Sequence, residues 1–486
     1  MKRHGYLWHR WLGIGSCSAI ALWLVSGVVM LYVGYPKLTH AENLARLPPL
    51  DCQDGCVDLE RALLASGSPI PPREARLVSI AGKPRYLFAY PKQPEIAVDA
   101  RSGRRVDVAG REEALASARA FSRAGEIRYV GTVIKDAWSG ARSLDAERPF
   151  HVLQETAGER RRLYVSARSG RVLLDATERE RAWGWMGAWL HWLYPLHDFP
   201  WWAEAIVYLS LASLVTILLG LYVGVDRWRF GAPYRSGARS PYVSRIARWH
   251  HAAGLLFGLV LATSAFSGMM SMRPWQLLDS RSTLSAEDYA GGELGKSRDP
   301  RPMDEILQMF RKTGLEAREL VWHVVGGTTY LTAYDNTGKS KVLAMGSNGT
   351  VMDMIPEETL QRAAQAMLPA RPIRAQRLDT YDHYYYPRAE QSMYGGFQRR
   401  LPVLRVMFDD PARTWLHLDP YSGAVIDQPD GRRRIARWLF NLLHSWDAPW
   451  FLNHPRLREM LLLAFSIGGL IVCCTGPVRW LQKRRT

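Results

Sequence analysis

The sequence predicts an α+β membrane protein: four transmembrane helices in two tandem repeats, with a large α/β region outside the bilayer in each. Three observations predict it. Four apolar runs, Trp11–Gly34, Ala203–Val225, Ala252–Met272 and Leu457–Val478, reach the roughly 20 residues that a helix needs to cross the hydrocarbon core. The chain matches itself. Trp8–Leu31 falls without a gap on Trp249–Met272, with Trp8 on Trp249, His9 on His250, Gly13 on Gly254 and Ser26-Gly27 on Ser267-Gly268. At a second offset Arg181 falls on Arg434, Trp185 on Trp438 and Leu190-His191 on Leu443-His444. A period this long means two copies of a membrane-plus-soluble unit, not a solenoid. Between the runs, strand and helix patterns alternate as they do in folded aqueous domains.

The first run begins with basic residues, as a signal peptide does. It is longer, has no small-x-small cleavage site and recurs inside the chain, so it reads as an anchor. With 486 residues a single core is not expected. The net charge of +17 could suggest nucleic acid, but its placement argues otherwise. Lys2, Arg3 and Arg10, the arginines between Arg227 and Arg248, and Arg479 with Lys483–Arg485 all sit in short flanks of the apolar runs. Positive flanks mark the cytoplasmic side. Residues 1–10, 226–251 and 479–486 are therefore expected in the cytoplasm, and 36–200 and 274–455 on the outer, periplasmic side. The expected partner is the lipid bilayer, with no nucleic acid.

The outer regions carry hairpins with polar turns at Asp99–Gly103, within Leu163–Leu174, at Asn336–Gly338 and within Trp415–Ile426. Helical patterns separate them at Asp58–Ala65, Glu112–Arg123, Met303–Lys312 and Glu357–Met367. Cys52 and Cys56 lie in the outer region, where an oxidising compartment favours a disulfide. Cys17, Cys473 and Cys474 lie in the apolar runs and read as packing residues. Tyr381–Tyr386 reads as a strand with alternating inward tyrosines, or alternatively as the lining of a pocket.

The candidate chemistry lies in four histidines. His9 and His250 stand at the inner mouths of the first and third runs, and His191 and His444 precede the second and fourth at the outer surface. Imidazole is a good iron ligand, and haem iron is commonly held by axial histidine. Gly13 and Gly254, four residues beyond the inner pair, leave a gap on the same helical face that could admit a flat macrocycle. Any one of these histidines alone reads better as a membrane-belt residue with satisfied hydrogen bonds. Four in two repeat-related pairs point to ligation. His197, His251 and His383 are the nearest alternatives. His151, His323 and His417 fall in expected strands. No nucleophile elbow, phosphate loop, HExxH or dinucleotide-binding glycine pattern is present, so no flavin or nicotinamide site is indicated.

The Trp8-His9…Gly13 and Trp249-His250…Gly254 entrances and the Leu-His before the next run resemble the PepSY-associated transmembrane family. The turns Asp419–Val425 and, less completely, Asp99–Val106 and Ser166–Val172 resemble PepSY domains. The likeness covers essentially the whole chain. It departs at Arg479-Trp480, where the family often has Trp-Trp-Pro-Arg, and at Arg171, which is matched by Ala424. The resemblance implies PepSY-like periplasmic regions over four spans in a bacterial inner membrane. Members are often iron-regulated, and some are ferric-siderophore reductases with two b-type haems. On that footing His9 with His250, and His191 with His444, each hold one haem iron. Electrons then pass from a cytoplasmic or quinol donor to a ferric siderophore or other chelate; by their position near His191 and His444, Arg181 and Arg434 are expected near that chelate. Two other classes compete: a haem-free scaffold that regulates a protease or an iron-uptake partner, and a transporter. Against transport, the only acidic residues in the runs, Glu204 and Glu459, lie near an end.

Overall fold

The computed structural model describes the chain apart from residues 1, 92, 123–125, 297, 298, 347, 348, 391, 393, 394, 397 and 486. Four long helices, Lys2–Met30, Trp202–Arg227, Arg245–Ser271 and Pro455–Arg485, each contain a stretch long and apolar enough to cross a membrane. With the strands below they make an α+β membrane protein. The first helix begins at Lys2 rather than Trp11, because nothing in between breaks it. It ends at Met30 rather than Gly34, short of Pro36, which disfavours helix in the residue before it. The third begins at Arg245 rather than Ala252. His9 and His250 therefore lie on helix walls inside the bundle, not on loops at its mouths.

Each of the four helices packs on two others: the first on the second and fourth, the third on the same two. The first and third are thus diagonal, and residues on their inner faces meet across the centre. Glycines bring the walls together at mid-height. A Cβ at Gly468 would come within 2.3 Å of Phe257, and one at Gly469 within 2.7 Å of Leu24 and Leu261. The middle of the bundle is therefore close-packed and apolar.

All strands lie between the first and second helices or between the third and fourth, so every sheet sits at one end of the bundle. The strands fall into four antiparallel groups of four. The first comprises β1 (Glu74–Ile80), β2 (Lys83–Ala89), β3 (Ile96–Asp99) and β4 (Arg105–Val106). The second comprises β5 (Ile127–Val133), β6 (Phe150–Glu155), β7 (Arg162–Ser166) and β8 (Val172–Ala176). The third is β9 (Glu319–Val325), β10 (Thr328–Tyr334), β11 (Ser340–Ala344) and β12 (Val351–Met352). The fourth is β13 (Ile373–Leu378), β14 (Val403–Phe408), β15 (Trp415–Leu418) and β16 (Val425–Asp427).

The first and third groups join through β1 and β9 into one eight-stranded sheet, in the order β12-β11-β10-β9-β1-β2-β3-β4. Ala75 pairs with Trp322, Arg76 with Val321 and Leu77 with Leu320. The joint closes two edges that would otherwise stand open. It also merges the two cores: Tyr86 and Phe88 from one half pack with Phe310 and Trp322 from the other. The helices Leu59–Ser66 and Met303–Lys312 cover this core, and Arg111–Phe121 and Glu357–Ala366 cover the other two sheets. Arg123, the expected end of the second of these in sequence order, lies outside the described residues. Glycines with positive φ make the expected turns, at Gly103, Gly170, Gly338 and Gly423. Cys52 and Cys56 are disulfide-bonded.

Candidate functional site

The histidines meet in two pairs, one toward each end of the bundle. The His9 and His250 rings face each other across the diagonal with centroids 6.2 Å apart. His9 Nδ1 lies 3.0 Å from the Thr216 carbonyl oxygen, and His250 Nδ1 lies 3.1 Å from both the Val472 carbonyl and Thr475 Oγ1. A cavity of about 250 Å³ adjoins this pair. Gly13, Gly220, Gly254 and Gly476 are among its lining residues. A Cβ at Gly220 would stand 2.6 Å from His9 Cε1, whereas one at Gly254 would meet nothing within 4 Å. One glycine thus lets the ring in, and the other leaves open space beside it. Cys17 and Cys473 also line this cavity rather than only filling the wall.

The second pair lies at the sheet-bearing end. The His191 and His444 rings are 6.1 Å apart between centroids. Each is carried by a short segment that approaches through a wide π-helical turn, Trp185–Trp189 or Arg437–Leu442. Each segment then reverses at a residue in the left-handed region, Leu193 or Trp446, both at φ 50°. Widened turns of this kind recur at functional sites. Ser26 Oγ holds His191 Nδ1 at 3.0 Å, and Ser267 Oγ holds His444 Nδ1 at 3.1 Å. Gly27 and Gly268 lie against the Cε1 atoms of the two rings. Trp23 Nε1 donates to the His191 carbonyl at 3.0 Å and fixes that segment on the first helix.

Two imidazoles on opposite sides of one metal, with bonds of about 2.0 Å, would put their ring centres roughly 6.3 Å apart. Both pairs stand close to that spacing. In each, Nδ1 is engaged by the protein, which fixes the ring and assigns Nε2 to any metal. Among the described residues no group of three or more His, Cys, Asp or Glu side chains could hold a metal ion. Two imidazoles are too few for a bare zinc ion, which takes four ligands. They suit a metal whose other donors come from a macrocycle, as in haem. The residues present therefore fit a haem at each pair.

The other histidines are used elsewhere. Both His251 nitrogens are engaged, Nδ1 with Ser240 Oγ at 2.9 Å and Nε2 with the Gly224 carbonyl at 2.8 Å. His197 stacks on Tyr194 with ring centroids 4.9 Å apart, and His383 lies against Trp438. His151, His323 and His417 sit in β6, β9 and β15.

One expectation is corrected. Tyr381–Tyr386 is a loop, not a strand. Asp382 accepts from the Tyr384 and Tyr385 backbone amides and from Arg405, which turns the chain and fixes it to β14. Arg181 and Arg434, expected near a chelate, have guanidinium groups engaged with the backbone. Arg181 donates to the Ala176 and Arg160 carbonyls, and Arg434 to the Arg413 and Pro429 carbonyls. Both tie the start of a helix to the end of the preceding strand.

A second cavity, of about 410 Å³, lies where all four strand groups meet. Below it Glu319 is 1 % exposed and paired with His40 and Arg76. Burial would raise its carboxyl, but these two partners prevail and hold it down at about 2.

A family model described as the PepSY-associated TM region matches residues 6–483, and the chain belongs to that family. No curated protein sequence matches the chain.

Proposed function

We propose that this chain is a di-haem electron-transfer protein of the bacterial inner membrane that reduces a ferric siderophore or other ferric chelate on the periplasmic side. The observation that carries the reading is the pair of facing histidines at each end of one bundle, at 6.2 and 6.1 Å. The matched offsets support descent from a duplicated unit. The positive flanks support cytoplasmic termini, which puts the sheets in the periplasm and makes His191 and His444 the outer pair.

Haem bound at each pair would supply one-electron chemistry. The chain's own part is to hold and space the two sites. Ser26 and Ser267 orient the outer rings, and the Thr216 and Val472 carbonyls orient the inner ones. Seventeen residues of helix separate His9 from Ser26, about 26 Å of rise. The apolar middle of the bundle excludes water between them. The donor is a cytoplasmic reductant or a quinol. Reduction of the iron weakens its bonds to hard oxygen ligands and releases it from the chelate.

A pyridine-haemochrome count with reduced-minus-oxidised spectra tests this. Two haems are expected in the native protein and about one in each of His9→Ala, His250→Ala, His191→Ala and His444→Ala, since a b-type haem has no covalent tether. Electron delivery to a ferric chelate should fail in all four. A colourless native protein would overturn the reading in favour of a haem-free scaffold.

A further inference from the structure

The cavity beside His9 and His250 has a polar end and an apolar end. The first long helix lines it with Tyr6, Arg10, Gly13, Cys17 and Ile20, spaced three or four residues apart and so on one face. Tyr6 and Arg10 stand at the mouth, the end away from the sheets, where Tyr242 joins them from the loop before the third long helix. Ile20 and Leu261, both buried, close the other end, and Leu261 is one of the side chains packed against Gly469 in the middle of the bundle.

Among the described lining residues Arg10 is, apart from histidine, the one charged side chain. Its guanidinium lies 5.3 Å over the Trp11 ring, and no carboxylate among the described residues pairs with it. Asp226, near the end of the second long helix, accepts from the Tyr6 hydroxyl at 2.6 Å and does not line the cavity. The position that matches Arg10 in the second half is His251, whose two nitrogens are both engaged. The cation is thus confined to the side of the first helix.

The histidines limit how a macrocycle can stand here. Two axial imidazoles lie on the normal to a porphyrin plane. His9 and His250 occupy matching positions on diagonal helices, so the line between them crosses the bundle. A plane normal to that line runs along the bundle axis, with one edge toward the mouth and the opposite edge toward Ile20 and Leu261. An iron porphyrin of the b type has two carboxylates on one edge and apolar groups on the others. Burying those carboxylates among aliphatic side chains without a partner is costly, whereas a guanidinium gives them charge-assisted hydrogen bonds.

We infer that Arg10 binds the carboxylate edge of the inner porphyrin, and that this edge points out of the cavity mouth, away from the sheets. The inference rests on the di-haem reading. Arginine suits the task, because its planar fork matches a carboxylate.

The test uses the full-length His444→Ala protein, in which only the inner site should fill. The apoprotein is titrated with iron protoporphyrin IX and, separately, with its dimethyl ester. Arg10 is exposed, so its charge is partly screened. The diacid should bind about 5- to 20-fold more tightly than the ester at low salt, and the ratio should shrink at about 1 M salt. Arg10→Gln should lose most of that preference with the ester affinity unchanged, and Arg10→Lys should keep part of it. The salt dependence needs no substitution at Arg10 and gives a second reading should Arg10→Gln fail to fold. Arg245→Gln removes a charge from the same end of the bundle that does not line the cavity, and it should keep the preference. A diacid that binds no more tightly than the ester, a ratio insensitive to salt, full preference in Arg10→Gln, or equal loss in Arg245→Gln would overturn the inference while leaving the di-haem reading standing. Failure of both porphyrins to bind would overturn both.

Discussion

Ser26 Oγ and His191 Nδ1 are 3.0 Å apart although 165 residues separate them in the chain. The serine is buried on the first long helix, and its hydroxyl also donates to the Leu22 carbonyl at 2.6 Å. A hydroxyl committed to that carbonyl presents its lone pair to the ring, which favours a proton on Nδ1 and leaves Nε2 basic. Ser267 does the same for His444, donating to the Ser264 carbonyl at 3.0 Å.

Ser26→Ala and Ser267→Ala should therefore each weaken haem binding at the sheet-side pair by about 10- to 100-fold and spare the other site. Titration of apoprotein, followed by the Soret band, measures it. Unchanged affinity in both variants would remove the serines from the site.

The glycines of the opposite pair predict a contrast. Gly220→Ala should disturb His9 itself, since its Cβ would stand 2.6 Å from Cε1. A Cβ at Gly254 meets nothing within 4 Å, so Gly254→Leu should fold as well as the native chain, gaining up to about 1 kcal/mol of helix propensity. It should nonetheless exclude haem from that site. A thermal melt of the apoprotein together with a haem count separates the two effects. Full occupancy in Gly254→Leu would show that the space is not used.

Glu319 predicts a pH dependence. Its folded-state carboxyl is held at about 2, below its ordinary 4.5. A depressed acid stabilises the fold above its unfolded value, and this contribution is lost as pH falls from about 4.5 toward 2. Glu319→Gln should cost about 3–5 kcal/mol near neutrality, because it leaves Arg76 and His40 short of a buried counter-charge. Its denaturation midpoint should also fall less steeply than the native one over that interval. Parallel curves would refute the assignment.

Topology has its own measurement. Reporters fused at 230–240 should read cytoplasmic, and those at 60–70 or 285–295 periplasmic. A periplasmic signal from 230–240 would invert the scheme.

The histidine pairs were legible in the sequence because constant offsets singled out four of thirteen histidines. Ser26 and Ser267 stood in the same match, but nothing in an offset says that a serine points at an imidazole. The β1–β9 joint was not legible. Strand alternation tells which face is buried and not which strand lies alongside, and Arg76 and Val321 are far apart in the chain. Tyr381–Tyr386 misled because alternating aromatics resemble a strand, whereas Asp382 supplies the turn and Arg405 the anchor.

The packed glycines and leucines at mid-bundle have an electrical consequence. Among the described residues nothing charged lies between the two histidine pairs, so an electron passing from one to the other would travel without an accompanying proton or metal ion. Under the proposed topology that is a net outward movement of negative charge across most of the bilayer. Each electron would be driven by up to about 2.3 kcal/mol for every 100 mV of inside-negative potential. An energised cell would thus push reducing equivalents toward the sheet side, and dissipating the potential with an ionophore would slow the reaction without touching either site.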